Sequence, residues 1–300
     1  MGICDGRVVI VTGAGRGLGR AHAEAFAAEG AKVVVNDIGV SLAGEGGSAS
    51  PAEEVVEAIR SAGGEAVTSD HDIANFETAG ALVKTALDAF GRLDVVVNNA
   101  GIVRDRMFVS TSEQEWDAVI HVHLKGHYAV SHHACAHWRG EAKAGNPVDA
   151  RIINTSSGAG LQGSVGQSAY STAKGGIAAL TLVQAAELGR YGITSNALAP
   201  SARTRMTEEV FADMMAKPED GFDAMAPENV SPLVVWLGSP ESRDVTGRVF
   251  ELEGGKICLA DGWRSGPSVD KGARWAPDEL GAAVADLIAK AEPPQKVYGT

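Results

Sequence analysis

The stretch VVIVTGAGRGLGR (residues 8–20) places an aliphatic run before a glycine-rich turn and the beginning of a helix. A continuous Val/Ile run predicts a strand buried on both faces, as in a parallel sheet. Glycine permits a tight turn and a close approach to a pyrophosphate, to which the following helix N-terminus presents N–H donors. A glycine loop alone is a weak signal, but this order of elements predicts a dinucleotide site formed by Gly13, Arg16, Gly17, Leu18 and Gly19.

Short aliphatic runs alternate with longer amphipathic runs along most of the chain. This alternation predicts an α/β protein with one Rossmann-like, doubly wound parallel sheet over residues 1–263 and helices on both faces. The predicted strands are VVIVTG (8–13), KVVVND (32–37), EAVTSD (65–70), LDVVVNNAG (93–101), ARIINTSS (150–157), GITSNALAP (192–200) and RVFELEGG (248–255).

Two segments fall outside this rhythm. GVSLAGEGGSAS (39–50) predicts a long loop, and it runs into Ser50-Pro51-Ala52-Glu53, a capping box with proline at the first helical position. Residues 264–300 are predicted to form a tail with one short helix, packed on the domain or on a neighbouring subunit. That helix is expected from Pro277 to about Lys290, followed by a frayed end, PPQKVYGT.

The composition excludes several classes of protein. No apolar run approaches the roughly 18 residues of a membrane span, and the first residues do not have the pattern of a secretory signal. The net charge of −12 argues against nonspecific nucleic-acid binding. Cys4, Cys135 and Cys258 are scattered and odd in number, which favours a reduced, cytoplasmic setting. The net charge is compatible with an anionic small-molecule ligand held at a locally basic pocket.

Asp37 follows the second predicted strand, in VVVND. A carboxylate at this position can accept hydrogen bonds from both adenosine ribose hydroxyls and repel a 2′-phosphate, which favours NAD over NADP. Two observations leave room for another interpretation. Asp37 could simply cap a turn, and Arg16 in the glycine loop is a basic residue that could meet a 2′-phosphate.

Ser157, Tyr170 and Lys174 form a candidate catalytic group in NTSSGAGLQGSVGQSAYSTAK. Tyr170 and Lys174 are four residues apart and share one helix face. A tyrosine with a pKa of about 10 is a weak base, but a nearby ammonium and a positive nicotinamide favour phenolate. Tyr170 would exchange a proton with a substrate hydroxyl while Ser157 binds the same oxygen and Lys174 holds the nicotinamide ribose.

These motifs together resemble the short-chain dehydrogenase/reductase family over residues 7 to about 255. TGAGRGLG, Asp72-Ile73, NNAG (98–101), the Ser-Tyr-Lys set and the proline of NALAP occur in the family order. The resemblance implies a homodimer or homotetramer and a mobile substrate loop after Pro200. It also implies further cofactor contacts from Asp72, Ile73, Asn99, Ala100, Gly101 and Pro200, with Tyr170 and Lys174.

The chain departs from the family pattern at two positions. Ser201 follows the proline where a glycine is usual, and His123 stands where an asparagine usually joins the proton relay. Segments such as VNDIG (35–39) and WDAVIHVHLKG (116–126) are similar to one subgroup. It comprises the (3R)-hydroxyacyl-CoA dehydrogenase domain of peroxisomal multifunctional enzyme type 2, or 17β-hydroxysteroid dehydrogenase type 4, and its actinobacterial relatives. Further similar segments are the insertion after VNDIG, NNAGIVRDRMF (98–108) and TRMT (204–207).

Six of the eight histidines lie between His121 and His137. His123 and His137 would be about 21 Å apart along a helix, too far for one ion with ligand bonds near 2 Å, so we predict no metal. Most of these histidines are expected on a helix face. For His123 two interpretations remain: a supporting group in the proton relay, or a core histidine that is simply hydrogen-bonded.

The resulting hypothesis is an enzyme that oxidises a (3R)-hydroxyacyl-CoA to a 3-ketoacyl-CoA with NAD, with a sterol-derived acyl chain as one option. The alternatives are a 3-oxoacyl carrier-protein reductase and a 17β-hydroxysteroid dehydrogenase acting on free steroids. Asp37 argues against the reductase, which would use NADPH. A third alternative is a cofactor-sensing binding protein without catalysis, although such proteins commonly lose the tyrosine or the lysine.

Overall fold

One sheet organises the computed structural model, which describes residues 2–39, 50–204 and 215–298. In chain order its strands are β1 (Val8–Thr12), β2 (Lys32–Asn36), β3 (Glu65–Ser69), β4 (Val95–Asn98), β5 (Ala150–Thr155), β6 (Ile193–Ser201), β7 (Val249–Glu253) and β8 (Lys256–Ala260). Their order in the sheet is β3-β2-β1-β4-β5-β6-β7-β8, and all neighbours are parallel except the antiparallel pair β7–β8.

Helices connect the parallel strands, except for the last helix, which follows β8. They are α1 (Gly17–Ala28), α2 (Ser50–Ser61), α3 (Phe76–Phe90), α4 (Glu113–Ile120), α5 (Gly126–Lys143), α6 (Gly158–Gln162), α7 (Ser168–Leu188), α8 (Ser231–Gly238) and α9 (Leu280–Lys290). A π-helical turn, His121–Lys125, joins α4 to α5, so the two form one interrupted helix. Across the ranges given above, no helix is both long and apolar enough to cross a membrane.

Alternate side chains of β1 pack into two separate hydrophobic cores, one on each face of the sheet. Val9 and Val11 of β1 pack with α1, α2 and α8 on one face of the sheet. Val8 and Ile10 pack with α3 and α5 on the other face. Because both faces are covered, the strands are aliphatic throughout, which is what makes them visible in the sequence.

The predicted fold class is confirmed: the structure is a single Rossmann-like sheet with helices on both faces. The chain runs outward from β1 to β3 and then crosses to β4 on the other side of β1, so the switch point lies between β1 and β4. Ligands bind at such switch points, beyond the carboxyl ends of the strands. Helix α2 begins at Ser50, as the capping box predicts. The Ser50 side chain and residues 40–49 of the predicted loop lie outside the described residues.

Two features of the carboxyl-terminal part differ from the sequence prediction. The prediction ended the sheet at RVFELEGG, whereas β8 follows it through a two-residue Gly254-Gly255 turn. The tail helix α9 occurs where it was expected, after a 3₁₀ turn at Pro277–Glu279. The segment PPQKVYGT was expected to fray, and this was wrong for Tyr298, which is held on the body by hydrogen bonds.

Candidate active site

The glycine loop lies between the end of β1 and the beginning of α1. Gly13 has a φ of +62°, and a side chain there would approach Cα of Ala100 to 2.8 Å. A Cβ on Gly19 would lie 2.1 Å from the Gly13 carbonyl oxygen, because Gly19 packs directly beneath the loop. Arg16 is the N-cap residue of α1 and provides no side-chain cap, so the first-turn N–H groups need another acceptor.

Asp37 comes directly after β2 and is fixed by the backbone of two loops. Its Oδ2 accepts a hydrogen bond from the Gly15 N–H (2.9 Å), and its Oδ1 accepts one from the Gly39 N–H (2.7 Å). Each carboxylate oxygen has a second lone pair, so these bonds orient the group and leave it able to accept ribose hydroxyls.

The NNAG segment is tied to the end of β1. The Asn99 side-chain amide donates to the carbonyl oxygens of Thr12 (3.0 Å) and Gly13 (3.2 Å). In return, the Thr12 hydroxyl accepts the N–H groups of Asn99 and Ala100. These bonds hold the glycine loop against the carboxyl end of β4.

A cleft of about 670 Å³ opens at the carboxyl ends of the strands. With one exception, the residues predicted to bind cofactor or act in catalysis line it: Gly13, Arg16, Gly17, Leu18, Asp37, Asp72, Ile73, Asn99, Ala100, Gly101, His123, Ser157, Tyr170, Lys174 and Pro200. The exception is Gly19, which lies beneath the loop. The cleft is also lined by Ile102, Thr155 and Thr204, which were not predicted from the sequence. Of the predicted substrate loop after Pro200, residues 205–214 lie outside the described ranges.

The Ser-Tyr-Lys residues meet at one end of this cleft. Ser157 is the N-cap of α6 and accepts the Ala159 N–H (3.2 Å), while Tyr170 and Lys174 project from α7. Lys174 is only 2% exposed, and its Nζ donates to the carbonyl oxygen of Thr155 (2.6 Å) and lies 5.6 Å from the Tyr170 ring centroid. The fold therefore brings the three side chains together as the sequence predicts.

Comparison with known proteins gives one consistent family. The family described as short chain dehydrogenase matches residues 7–215. The chain belongs to the short-chain dehydrogenase/reductase family. Its members use NAD(P), and the enzyme is accordingly an oxidoreductase that acts on CH–OH groups of small-molecule substrates.

Individual relatives agree with this assignment. The enzyme is 43% identical to hydroxyacyl-CoA dehydrogenase ChsB1 of Mycobacterium tuberculosis, over 99% of this chain and 93% of that protein. It is 47% identical to peroxisomal multifunctional enzyme type 2 of Mus musculus, over 84% of this chain but only 32% of that longer protein. The crystal structure of a short chain dehydrogenase from Mycobacterium avium is 67% identical over the full length of both chains, with a TM-score of 0.90.

At the end of the cleft that holds Ser157, Tyr170 and Lys174, the pKa values of Tyr170 and Lys174 differ from those of free side chains. Desolvation lowers the pKa of Lys174 to about 7. Tyr170 is partly exposed to the cleft, yet desolvation raises its pKa to about 12, and a hydrogen bond with Ser157 opposes this rise. Desolvation therefore favours the protonated phenol of Tyr170 in the protein alone, and the expected effect of a positive nicotinamide on this pKa stays a prediction.

His123 lies in the π-helical turn and is 1% exposed. Its Nε2 lies 2.7 Å from the carbonyl oxygen of Ile102 and 3.1 Å from the Ile102 N–H, so the tautomer decides which bond forms. Its Nδ1 is buried without a partner among the described residues. The ring meets Tyr170 edge-on at 5.2 Å between centroids, and it fills the space where a Gly101 side chain would lie, 2.2 Å from Cε1.

Burial, with a smaller contribution from the charge of Lys174, lowers the pKa of His123 to about 3. The imidazole is therefore neutral at physiological pH and does not act as a titrating acid. It can still accept or donate a hydrogen bond through Nδ1.

The remaining histidines of the run scatter around the helix. His127 is buried, His133 and His137 are partly exposed, and His121 and His132 are exposed. His133 Nε2 lies 2.8 Å from the Phe76 carbonyl oxygen, and the ring packs on Phe76. Within residues 2–39, 50–204 and 215–298, no three His, Cys, Asp or Glu side chains form a group suited to a metal ion.

Proposed function

We propose that the enzyme oxidises (3R)-hydroxyacyl-CoA to 3-ketoacyl-CoA with NAD as the hydride acceptor. One observation carries the proposal: Ser157, Tyr170 and Lys174 meet at one end of a cleft whose other end holds Asp37 beside the glycine loop. The substrate class is supported by the name of the Mycobacterium tuberculosis relative, which the chain matches over almost its full length.

The residues of the cleft fit a nicotinamide dinucleotide. A Cβ on Gly15 would lie 2.8 Å from Asp37 Oδ2, so the loop is packed as tightly as backbone allows and offers N–H groups rather than side chains. The loop and the N-terminus of α1 would hold the pyrophosphate, Asp37 the adenosine ribose, and Asp72 and Ile73 the adenine. Asn99, Ala100, Gly101 and Pro200 would line the rest of the cofactor site.

The preference for NAD rests on Asp37. Its carboxylate would accept hydrogen bonds from two ribose hydroxyls and would repel the 2′-phosphate of NADP. Arg16 also lines the cleft, but it is exposed, and a solvated guanidinium offsets little of that repulsion.

The chemical roles follow from the positions of the side chains. Ser157 and Tyr170 would both hydrogen-bond the substrate oxygen. Tyr170 would exchange the hydroxyl proton with it: in oxidation the phenolate takes that proton, and in ketone reduction the phenol returns it. Lys174, held by the Thr155 carbonyl, would position the nicotinamide ribose. When bound, oxidised nicotinamide supplies the hydride acceptor and a positive charge that favours the Tyr170 phenolate.

His123 would act as a positioning residue in the proton relay. Its unpartnered Nδ1 is a buried polar atom, and such atoms in proteins normally bind a partner or an ordered water. A water on Nδ1 would lead toward Lys174, whose charge already influences the imidazole.

The enzyme would act as a homodimer or homotetramer in the cytoplasm. Apolar side chains are half-exposed on α5 and α7, where Tyr128, Leu182 and Val183 are 46%, 53% and 52% exposed. Exposed large apolar side chains on these two helices support a subunit contact there. The cytoplasmic location is supported by three free cysteines. Sedimentation equilibrium measures the assembly; a monomer at micromolar concentration would contradict it.

Oxidation kinetics across a substrate panel test the proposal. The panel comprises 3-hydroxyacyl-CoAs of several lengths in both configurations, a sterol-derived 3-hydroxyacyl-CoA, 17β-hydroxysteroids and simple secondary alcohols, each with NAD and with NADP. The proposal expects the highest kcat/KM for a (3R)-hydroxyacyl-CoA with NAD. Preference for free steroids, for NADP or for acyl carrier-protein substrates would overturn it, and NAD binding without turnover would indicate a cofactor sensor.

A further inference from the structure

The carboxyl-terminal arm, residues 261–298, makes little contact with the body until its last described residue. None of residues 261–297 is buried, and α9 contributes no buried side chain. Tyr298, in contrast, is partly buried against the body. An arm that is exposed over residues 261–297 and packed on the body at Tyr298 suggests that Tyr298 has a specific place to bind.

Three contacts fix Tyr298. Its N–H donates to the Gly163 carbonyl oxygen (2.9 Å), and its hydroxyl lies 3.1 Å from Oγ of Ser201. Its ring lies flush on Gly158: a Cβ there would be 2.4 Å from Cε2 and 2.5 Å from Cδ2. The ring therefore occupies the space that any side chain at position 158 would need.

These contacts place the ring against two residues whose chain neighbours line the cleft. Gly158 directly follows Ser157, and Ser201 directly follows Pro200, and both Ser157 and Pro200 line the cleft. Tyr298 thus spans from the Ser157 side of the site to the end of β6.

We infer that Tyr298 is a specificity-determining residue whose ring forms a wall of the substrate pocket and limits branching next to the carbinol carbon. The inference rests on the proposed oxidation of a secondary alcohol at Tyr170. In this proposal, the arm serves to hold Tyr298 in place, whereas its exposed helix α9 suggests no function by itself. The inference also accounts for Ser201, whose hydroxyl holds the ring in place where a glycine would offer no partner.

Two substrates of equal chain length test the inference: 3-hydroxybutyryl-CoA and 3-hydroxy-2-methylbutyryl-CoA, each in the (3R) configuration. The measured quantity is the ratio of kcat/KM for the branched over the unbranched substrate. Tyr298→Ala is expected to raise this ratio about tenfold or more, because one methylene in a fitted pocket discriminates by that factor. Tyr298→Trp enlarges the wall and is expected to lower the ratio.

The matched control is Gln295→Ala, an exposed side chain of the same arm that leaves the Tyr298 contacts intact. Its ratio is expected to equal that of the wild type. Tyr298→Phe and Ser201→Ala each remove one end of a single hydrogen bond. Each is expected to raise the ratio about two- to fivefold, with no further rise in the double variant.

An unchanged ratio in both Tyr298→Ala and Tyr298→Trp would overturn the inference, as would an equal change in Gln295→Ala. Failure of the proposed substrate gives a different result, in which the wild type oxidises neither acyl-CoA. The same variants are then compared on 2-butanol and 3-methyl-2-butanol, which differ by one branch next to the carbinol. For this pair, the ratio of kcat/KM for the branched over the unbranched alcohol is expected to change in the same way as for the acyl-CoA pair. The same unchanged ratios would overturn the inference.

Discussion

The two ends of the cleft are held in different ways. At the Asp37 end, backbone groups make the contacts. The N–H groups of Gly15 and Gly39 donate to the carboxylate, and the packing around the loop glycines leaves no room for a side chain. At the Tyr170 end, the contacts come from titratable side chains withdrawn from water, with pKa values moved by desolvation. Binding at the Asp37 end should therefore depend on the shape and fixed charge of the ligand. The protonation states at the Tyr170 end should depend on pH.

This contrast separates binding from turnover. Changes at the Asp37 end should alter which cofactor binds while leaving the chemical step intact. Removal of the Tyr170 hydroxyl at the other end should alter the rate and its pH dependence while leaving cofactor binding nearly intact.

Replacing Tyr170 with phenylalanine removes the hydroxyl that is proposed to exchange the proton and keeps the ring. We expect kcat to fall by about 10²- to 10⁴-fold, the usual contribution of a positioned acid or base. The NAD dissociation constant, measured by fluorescence quenching, should change little. Tyr128→Phe on the exposed face of α5 is the control and should retain full activity. A fully active Tyr170→Phe would rule out the proposed mechanism.

Asp37→Asn removes the negative charge and keeps the shape of the side chain. Because a charged hydrogen bond contributes about 1.5–3 kcal/mol, the NAD over NADP preference in kcat/KM should fall by about 10- to 100-fold. An amide has one acceptor oxygen, so one of the bonds from Gly15 and Gly39 is also lost.

Dissociation constants for the two cofactors distinguish these effects. Loss of charge weakens NAD binding and strengthens NADP binding, whereas a displaced loop weakens both. Equal weakening would show that Asp37 acts only by capping the turn. The control is Asp70→Asn, an exposed carboxylate at the end of β3.

Much of this architecture is predictable because its signals are local. The strands are continuous aliphatic runs since both sheet faces are covered, and the glycine loop is specified within thirteen residues. Tyr170 and Lys174 share a helix face by their spacing alone. Ser157 could be predicted to lie beside them because it follows β5, and the carboxyl ends of parallel strands meet at one edge of the sheet.

The parts that sequence reasoning missed depend on distant contacts. Strand β8 is short and exposed, and its pairing follows from the Gly254-Gly255 turn rather than from hydrophobic alternation. The place of Tyr298 depends on Gly158 and Ser201, 140 and 97 positions away along the chain. The raised pKa of Tyr170 reflects desolvation in the folded protein, which spacing within a helix does not reveal.

The buried Lys174 makes stability depend on pH. Its pKa is about 7 in the folded protein and about 10.5 when unfolded, so the unfolded chain binds more protons between these values. The contribution of this group to the free energy of unfolding therefore rises with pH, by about 1.4 kcal/mol per unit above pH 7. Removing it with Lys174→Met should flatten the rise by that amount.

Urea unfolding at pH 7.5 and 8.5 measures this slope. The difference between wild type and Lys174→Met should grow in favour of the wild type as pH increases, while the exposed control Lys125→Met should follow the wild type. Parallel curves for wild type and Lys174→Met would mean that Lys174 stays charged in the folded protein. The two ends of the cleft would then not differ as described.

His123 gives the smallest expected effect. It has a packing role against Gly101 and a proposed relay role through Nδ1, and substitutions of different chemistry separate the two. His123→Asn keeps a hydrogen-bonding group but leaves space beside Gly101, whereas His123→Leu fills more of that space and offers no polar atom. Exposed His132 provides the control, His132→Asn.

The relay role and the packing role predict different effects of His123→Leu and His123→Asn on turnover and on melting temperature. If Nδ1 holds a relay water, turnover should fall about two- to tenfold in His123→Leu and less in His123→Asn, because one hydrogen bond contributes about 0.5–1.5 kcal/mol. The pH–rate profile should shift in the same order. If the imidazole only packs, melting temperature should fall further in His123→Asn than in His123→Leu, while both keep the wild-type profile and turnover. That result would reject the relay and leave His123 as a neutral filler that sets the position of the Ile102 backbone.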